Sequence, residues 1–316
     1  MVPRGAKRLI FVLPIVAVFL YLPLVLSSAH LGGITAFFIA WLANFKLLLF
    51  AFGCGPLCSD PSISLPLFIT VSCLPIKIQK TLENGQKKGL MNYAIKALLL
   101  AGFVKAYDYS DRMHPKMILL LYAFHVYFLL ELILALSAVM ARTVLGLELE
   151  PQFNEPFLST SLQDFWGNRW NLMVSGILRP TVYKPILYFF TRVGGRKWAP
   201  LPAVFGTFVV SGFMHELQFF YLGQGRVKPN WEITWFFVLH GLCLTAEIAL
   251  KKAVTGKFRL PSLISRPLTV VFVMVTGCWL FFPHFSRYGV DVRAFEEYAA
   301  LGAYMKNVSH SIVSVM

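Results

Sequence analysis

Acidic residues are scarce in this chain: 15 Asp+Glu stand against 29 Lys+Arg in 316 residues, and all charged residues together make up 14%. Soluble domains carry about 25% charged and about 45–50% apolar residues, whereas this sequence is 57% hydrophobic with a mean hydropathy of +0.65. Disordered, coiled-coil and collagen-like organisations are excluded by the same numbers. No polar stretch is long enough to hold a soluble catalytic module, so residues 1–316 read as a single membrane-embedded domain. No GxSxG elbow, Walker loop or GxGxxG occurs, which removes serine hydrolysis and nucleotide binding by those devices. The five cysteines (Cys54, Cys58, Cys73, Cys243, Cys278) form neither a CxxC pair nor an even-numbered framework and read as reduced thiols in apolar surroundings. No internal repeat is present, which weighs against the many transporters built from two related halves.

Long apolar runs are what the chain has in abundance. A hydrocarbon core of ~30 Å needs about 20 helical residues. Blocks at Leu9–Leu26, 33–52, 89–107, 117–140, 199–222, 232–250 and 267–284 supply about seven such spans. The first resembles a secretory signal, but its 18 residues exceed the usual h-region of roughly 7–15 and further spans follow, so it reads as an uncleaved anchor kinked at Pro14 and Pro23. Two shorter runs, Ile63–Ile76 and Leu172–Phe190, are broken by Pro66, Pro75, Pro180 and Pro185 and read as re-entrant or interfacial, giving seven to nine membrane segments in all. The expected fold is an all-α, polytopic transmembrane helical bundle.

The positive charge sits in short loops, as Lys77, Lys80, Lys87, Lys88, Lys251, Lys252, Lys257 and Arg259. That placement points to cytosolic loops and anionic headgroups, not to nucleic acid. Threading the spans from a cytosolic N-terminus puts the loops around 77–89, 141–198 and 251–266 in the cytosol. It leaves a lumenal C-terminal tail carrying Asn307-Val308-Ser309, the chain's only glycosylation sequon.

Ionisable residues inside apolar blocks are the first candidates for chemistry: His125, Glu131, His215, Glu216, His240 and Glu247. Thr207, Ser211, His215 and Gln218 follow at spacings of 4, 4 and 3, so they predict one polar stripe on an otherwise apolar helix. Such a stripe faces a polar cavity or a partner. Glu216 points about 100° away from it, and His215-Glu216-Leu217-Gln218-Phe219 lacks the second histidine of HExxH, so no metal site is expected. His240, Cys243 and Glu247 also share a helix face, an arrangement open to a nucleophile–base–acid set or to plain packing. A proton relay through His215, His240 and Glu247 is the transporter reading of the same residues.

The string Asp164-Phe165-Trp166-Gly167-Asn168-Arg169-Trp170-Asn171 is followed some forty residues later by Ser211-Gly212-Phe213-Met214-His215-Glu216-Leu217. Together these two segments, 164–171 and 211–217, resemble the signatures of the plant wax synthase branch of the membrane-bound O-acyltransferases. Trp41-Leu42-Ala43-Asn44-Phe45-Lys46 and Leu74-Pro75-Ile76-Lys77 are similar to that branch too, so the likeness runs through most of the chain. Asn168 departs from it, standing where an Arg is usual, and members usually carry one more hydrophobic segment first, which leaves either a span missing ahead of Leu9 or the span count above one short.

The resemblance implies a helical bundle around a catalytic tunnel in the endoplasmic reticulum membrane. His215 would be the intramembrane catalytic histidine and Asn171 the second signature residue, with acyl-CoA as co-substrate and neither metal nor cofactor. Trp166, Arg169, Trp170, Arg179, Lys184, Arg192, Arg196 and Lys197 would meet the CoA moiety. The acceptor implied is a lipid alcohol, a long-chain fatty alcohol giving a wax ester; a sterol or triterpenol acceptor, or acetyl-CoA as donor, is the alternative.

Overall fold

Helix α1 (Ala6–Tyr21) carries Pro14 within it and gives way to a 3-10 turn, Leu22–Val25, that holds Pro23. Ser28 then starts α2 (Ala29–Ala51) by accepting from Leu31 N, four residues ahead of the expected start at 33, so that Gly32 and Gly33 fall inside the helix. Its middle, Ala36–Ala43, winds as a π-helix around the buried Trp41 and Leu42. The computed structural model describes residues 2–58, 64–75, 89–146, 149–254 and 260–315, and nearly all of them lie in helices and turns. Lys77, Lys80, Lys87, Lys88, Lys257, Arg259, and Ile63 and Ile76 at the ends of the first proline-broken run, lie outside the described residues.

Helix α3 (Leu65–Cys73) has nine residues, about 14 Å of helix, and cannot cross a bilayer. The buried Lys46 of α2 pins it, donating at 2.7 Å to the carbonyls of both Val71 and Leu74. Helix α4 (Leu90–Ala106) is followed by α5 (Pro115–Leu145), which His114 and Pro115 open and Gly146 closes at φ 67. The second proline-broken run is helical but bent: α6 (Leu172–Leu178), a π-helical Arg179–Tyr183, then α7 (Lys184–Gly194). After these come α8 (Pro200–Leu222), α9 (Glu232–Ala253), α10 (Ser262–Leu280) and α11 (Val290–Val315).

Among the described residues six helices are long and apolar enough to cross a membrane. The expected seventh, 89–107, is α4, whose 17 residues give about 26 Å, short of the hydrocarbon core. A second difference lies at the C-terminus. The expected tail is α11, so the Asn307 sequon sits on an exposed helical turn. The cysteines are unpaired, as expected, but Cys54 is exposed and none is fully buried.

Helices α8 and α9 pack most closely. A Cβ on Gly212 would stand 3.1 Å from Thr234 Cα, and one on Gly241 2.8 Å from Phe208 Cβ, so both glycines permit the approach. The carboxylates of the apolar blocks are spent on helix starts. Glu216 of α8, 3% exposed, accepts from Trp231 N, Thr234 N and Thr234 Oγ1 at 3.1–3.3 Å and so caps α9. Glu247 of α9 accepts from Leu162 N and Gln163 N, and Glu297 of α11 from Ala29 N and His30 N at the head of α2. Glu131 of α5 instead meets Lys96 of α4 at 2.6 Å, both buried. Replacing Glu216 by Ala strands three partly buried donors at the head of α9, so Glu216→Ala should lose about 1–3 kcal/mol, while Glu216→Gln, which keeps one acceptor oxygen, loses less. Thermal unfolding of the detergent-solubilised variants measures the order.

Candidate active site

His215 lies within the second signature segment, on α8, among side chains of several helices. Its Nδ1 is 2.7 Å from the carbonyl of Ser211, one turn earlier on α8. A carbonyl only accepts, so Nδ1 carries the proton and Nε2 keeps its lone pair. Phe237 of α9 stacks on the ring at 4.2 Å, and Trp41 of α2 and Phe281 meet it edge-on at 4.9 and 5.9 Å. The imidazole is thus fixed in tautomer and in plane. It lines a cavity of about 270 Å³ enclosed mainly by aromatic and aliphatic side chains, with Gln218, Asn171, Trp166 and Trp170 also on its wall.

Asn171 reaches that wall through its backbone. It caps α6 with φ 41, in the left-handed region that Asn tolerates better than most residues, and its Oδ1 accepts from Val174 N at 3.5 Å. Among the described residues its Nδ2 donates to nothing. The segment before it is clamped: Arg169 Nε donates to Asp164 Oδ2 at 2.8 Å and its Nη1 to the carbonyls of Asn154 and Glu155. Asn168 Nδ2 donates to Asp164 Oδ1 at 3.3 Å. Trp170 stacks on Phe165 and Tyr127, and Trp166 stands edge-on to Phe208.

The predicted polar stripe is only half realised. His215 and Gln218 line the cavity, but Thr207 and Ser211 do not. Thr207 Oγ1 is satisfied at 2.6 Å by the Val204 carbonyl of its own helix, and Gly206 beside it is packed by Ile186 of α7, so this part of α8 faces protein. The shared face of His240, Cys243 and Glu247 does not assemble either. His240 is fully buried, accepts at Nδ1 from Trp166 Nε1 at 3.1 Å and donates from Nε2 to Thr276 Oγ1 at 2.9 Å. Glu247 is turned to the Leu162–Asp164 turn and to Lys251. With both nitrogens of His240 engaged, no relay links it to His215 or Glu247 among the described residues.

The basic residues expected around CoA divide in two. Arg169 is occupied by its clamp, whereas Arg179, Lys184, Arg192, Arg196 and Lys197 are all exposed on or beside α7 and do not line the cavity. Lys252 Nζ donates to the Lys197 carbonyl, and Lys251 Nζ reaches Ser161 and Gln163 at 3.3 Å, so α9 ends against the first turn of the signature segment. Phe237 and Phe281, which hold His215, carried no signal in the sequence, while Trp41 lay in one of the family-like strings. No group of three or more His, Cys, Asp or Glu side chains among the described residues is arranged to hold a metal ion.

A polytopic helical membrane protein with a half-buried, tautomer-fixed histidine on the wall of a mainly apolar cavity is the class that fold and site define. Residues 149–239 match the model of the membrane bound O-acyl transferase family. The chain is 53% identical over 324 residues to acyl-CoA–sterol O-acyltransferase 1 of Arabidopsis thaliana, covering all of this chain and 93% of that protein. It is 50% identical over 310 residues to the long-chain-alcohol O-fatty-acyltransferase of Simmondsia chinensis, covering 95% and 87%. A probable long-chain-alcohol O-fatty-acyltransferase 3 of Arabidopsis thaliana is 45% identical over 285 residues, covering 89% and 82%. The chain belongs to the membrane-bound O-acyltransferase family and is an O-acyltransferase.

The clamp at Asp164 has a pH signature. Partial burial pushes its carboxyl up, but hydrogen bonds from Arg169, Thr160 and Asn168 outweigh this and hold it below the ordinary carboxylate value. A carboxylate lowered in the folded state stabilises the fold above its unfolded pKa of ~3.9 and loses that contribution as pH falls through the folded value. Wild type should therefore melt above Asp164→Asn at neutral pH, with the gap closing below about pH 4; melting curves of both proteins from pH 3 to 8 test this.

Proposed function

We propose that the protein transfers a fatty acyl group from CoA to the hydroxyl of a long-chain alcohol, with His215 as general base. The observation that carries this reading is the Nδ1–H of His215 held by the Ser211 carbonyl, which leaves Nε2 as an acceptor in an apolar cavity shared with Asn171. The alcohol's O–H proton passes to Nε2 as its oxygen attacks the thioester carbonyl carbon. Asn171 Nδ2 donates to the oxyanion that develops there. The tetrahedral intermediate then collapses, the C–S bond breaks, and the imidazolium returns its proton to the CoA sulfur. The products are an ester and free CoA, and the reaction as written takes no metal and no bound cofactor.

Acyl-CoA would approach from the side of the signature segment, where Trp166 and Trp170 face the cavity and the exposed cations of α7 with Lys251 and Lys252 suit its phosphates. The likeness to the Simmondsia long-chain-alcohol enzyme over 95% of the chain supports a fatty alcohol as acceptor. The 53% likeness to a sterol acyltransferase over the whole chain favours a sterol as the second reading. Membranes containing the protein should convert labelled acyl-CoA and a fatty alcohol to a neutral ester, with a sterol supplied in parallel to rank the two. His215→Ala should lower the rate about 10²–10⁴-fold without unfolding the protein; retention of more than a tenth of the activity would sink the assignment. Cys243→Ala should keep most activity, because direct transfer leaves no acyl group on the protein.

The endoplasmic reticulum is the membrane we propose, with α4, whose 17 residues stand at the short end of what crosses a bilayer, taken as a seventh crossing beside the six longer helices, so that the N-terminus and signature segment are cytosolic and α11 lumenal. Microsomal expression should then give an endoglycosidase-sensitive mass shift that disappears in Asn307→Gln. Cleavage of a C-terminal tag by protease outside sealed vesicles would overturn this orientation.

A further inference from the structure

The reaction above uses one end of the cavity and leaves a second set of polar groups idle. His30 and Trp41 belong to the same helix α2, and Trp41 touches His215. Eleven residues separate them, about 16 Å along the helix axis at 1.5 Å per residue. His30 lines the cavity at this distance, together with Tyr107 and His125.

His30 is oriented as firmly as His215. Its Nδ1 lies 2.6 Å from Glu297 Oε2, and the same carboxylate accepts from Ser28 Oγ, Ala29 N and His30 N. A carboxylate donates nothing, so Nδ1 carries the proton and, in the neutral ring, Nε2 is an acceptor. Among the described residues that Nε2 has no hydrogen-bond partner. The ring stands 4.7 Å from that of Tyr298, whose hydroxyl is 2.9 Å from His125 Nε2, and His125 in turn lies 5.8 Å from the Tyr107 ring.

Tyr107 is 6% exposed, and its hydroxyl has no partner among the described residues. A buried hydroxyl with nothing to bond is unusual and calls for a reason. Here an acceptor without a donor and a donor without an acceptor belong to the wall of one cavity, which also carries Tyr122, His125 and Asp291.

Resting on the reading of the cavity as an acyl-transfer site, we propose that this end is a second hydroxyl-binding site. Tyr107 donates to the oxygen of a lipid alcohol whose own O–H donates to His30 Nε2. A hydroxyl held there sits beside His30, eleven residues along α2 from the Trp41 that touches His215, so it is not acylated in place. It is either the acceptor on its way to His215 or the far hydroxyl of an alcohol carrying two.

Tyr107→Phe removes only the oxygen that the protein itself does not bond, and His30→Asn keeps an N–H for Glu297 while deleting Nε2. Both variants should melt like wild type. Each should raise KM for the alcohol about threefold to tenfold, the loss of one hydrogen bond, with kcat at saturating alcohol and KM for acyl-CoA unchanged. A rise with a simple n-alkanol marks the entering acceptor; a rise confined to an α,ω-alkanediol marks the distal hydroxyl; either supports the site. Alcohol KM within twofold of wild type for both classes in both variants overturns it, as does a parallel rise in KM for acyl-CoA.

An alkanol with a photoreactive diazirine beside its hydroxyl, irradiated with the protein in the absence of acyl-CoA, should label peptides carrying His30 and Tyr107, less so in Tyr107→Phe. Labelling confined to the His215 peptide overturns the proposal. If wild type forms no ester with any alcohol, the catalytic reading fails while the labelling pattern still decides this one.

Discussion

A carboxylate in apolar surroundings costs several kcal/mol unless donors surround it, and in this chain the donors are supplied by the starts of other helices. Glu216 ties α8 to the head of α9, Glu247 ties α9 to the turn that opens the signature segment, and Glu297 ties α11 to the head of α2. Each contact satisfies two needs together, since the first N–H groups of a helix also lack intrahelical partners. Lys46 does the converse with the carbonyls that end α3. These contacts fix helix against helix where apolar packing alone would allow sliding, because lipid tails are as apolar as the side chains they touch.

The site inherits its geometry from those fixed helices. His215 sits on α8, its stacking partner Phe237 on α9 and its edge partner Trp41 on α2. The α8–α9 register that Glu216 sets therefore also sets the imidazole plane. The signature segment is attached twice, through Glu247 to α9 and through the Trp166 indole to His240. His240 and His215 are alike in sequence terms, yet one has both nitrogens engaged and the other keeps one open toward a cavity. That difference in partners, not residue type, separates a structural histidine from one able to accept a proton.

Much was legible in the sequence. The apolar blocks located the helices to within a few residues, because a hydrocarbon-length run of apolar residues has few other stable forms. His215 and Asn171 stood out from two strings whose spacing the family shares. Differences came where a local pattern met a tertiary partner: α2 starts four residues before the expected 33, since Ser28 and Glu297 both bond its first turn. Thr207 and Ser211 kept the helical spacing of a stripe, but Ile186 covers Gly206 beside Thr207, and the Thr207 hydroxyl turns back to its own backbone. Helix α4 ended one turn short of a comfortable span.

By itself the sequence determined a helical membrane protein and the approximate place of each helix, since apolar length and helical period are properties of consecutive residues, and it marked the two segments that meet at the cavity through their likeness to the family's signatures. It could not say which polar side chains find partners, because those partners lie far away in the chain: 74 residues separate Trp166 from His240, and 267 separate His30 from Glu297. Only the packed bundle decided that Glu247 and His240 hold other groups in place, while among the described residues His215 and His30 each keep one ring nitrogen unengaged and the buried Tyr107 hydroxyl has no partner. In a medium without water to fill unmet hydrogen bonds, that allocation of partners is what divides support from chemistry.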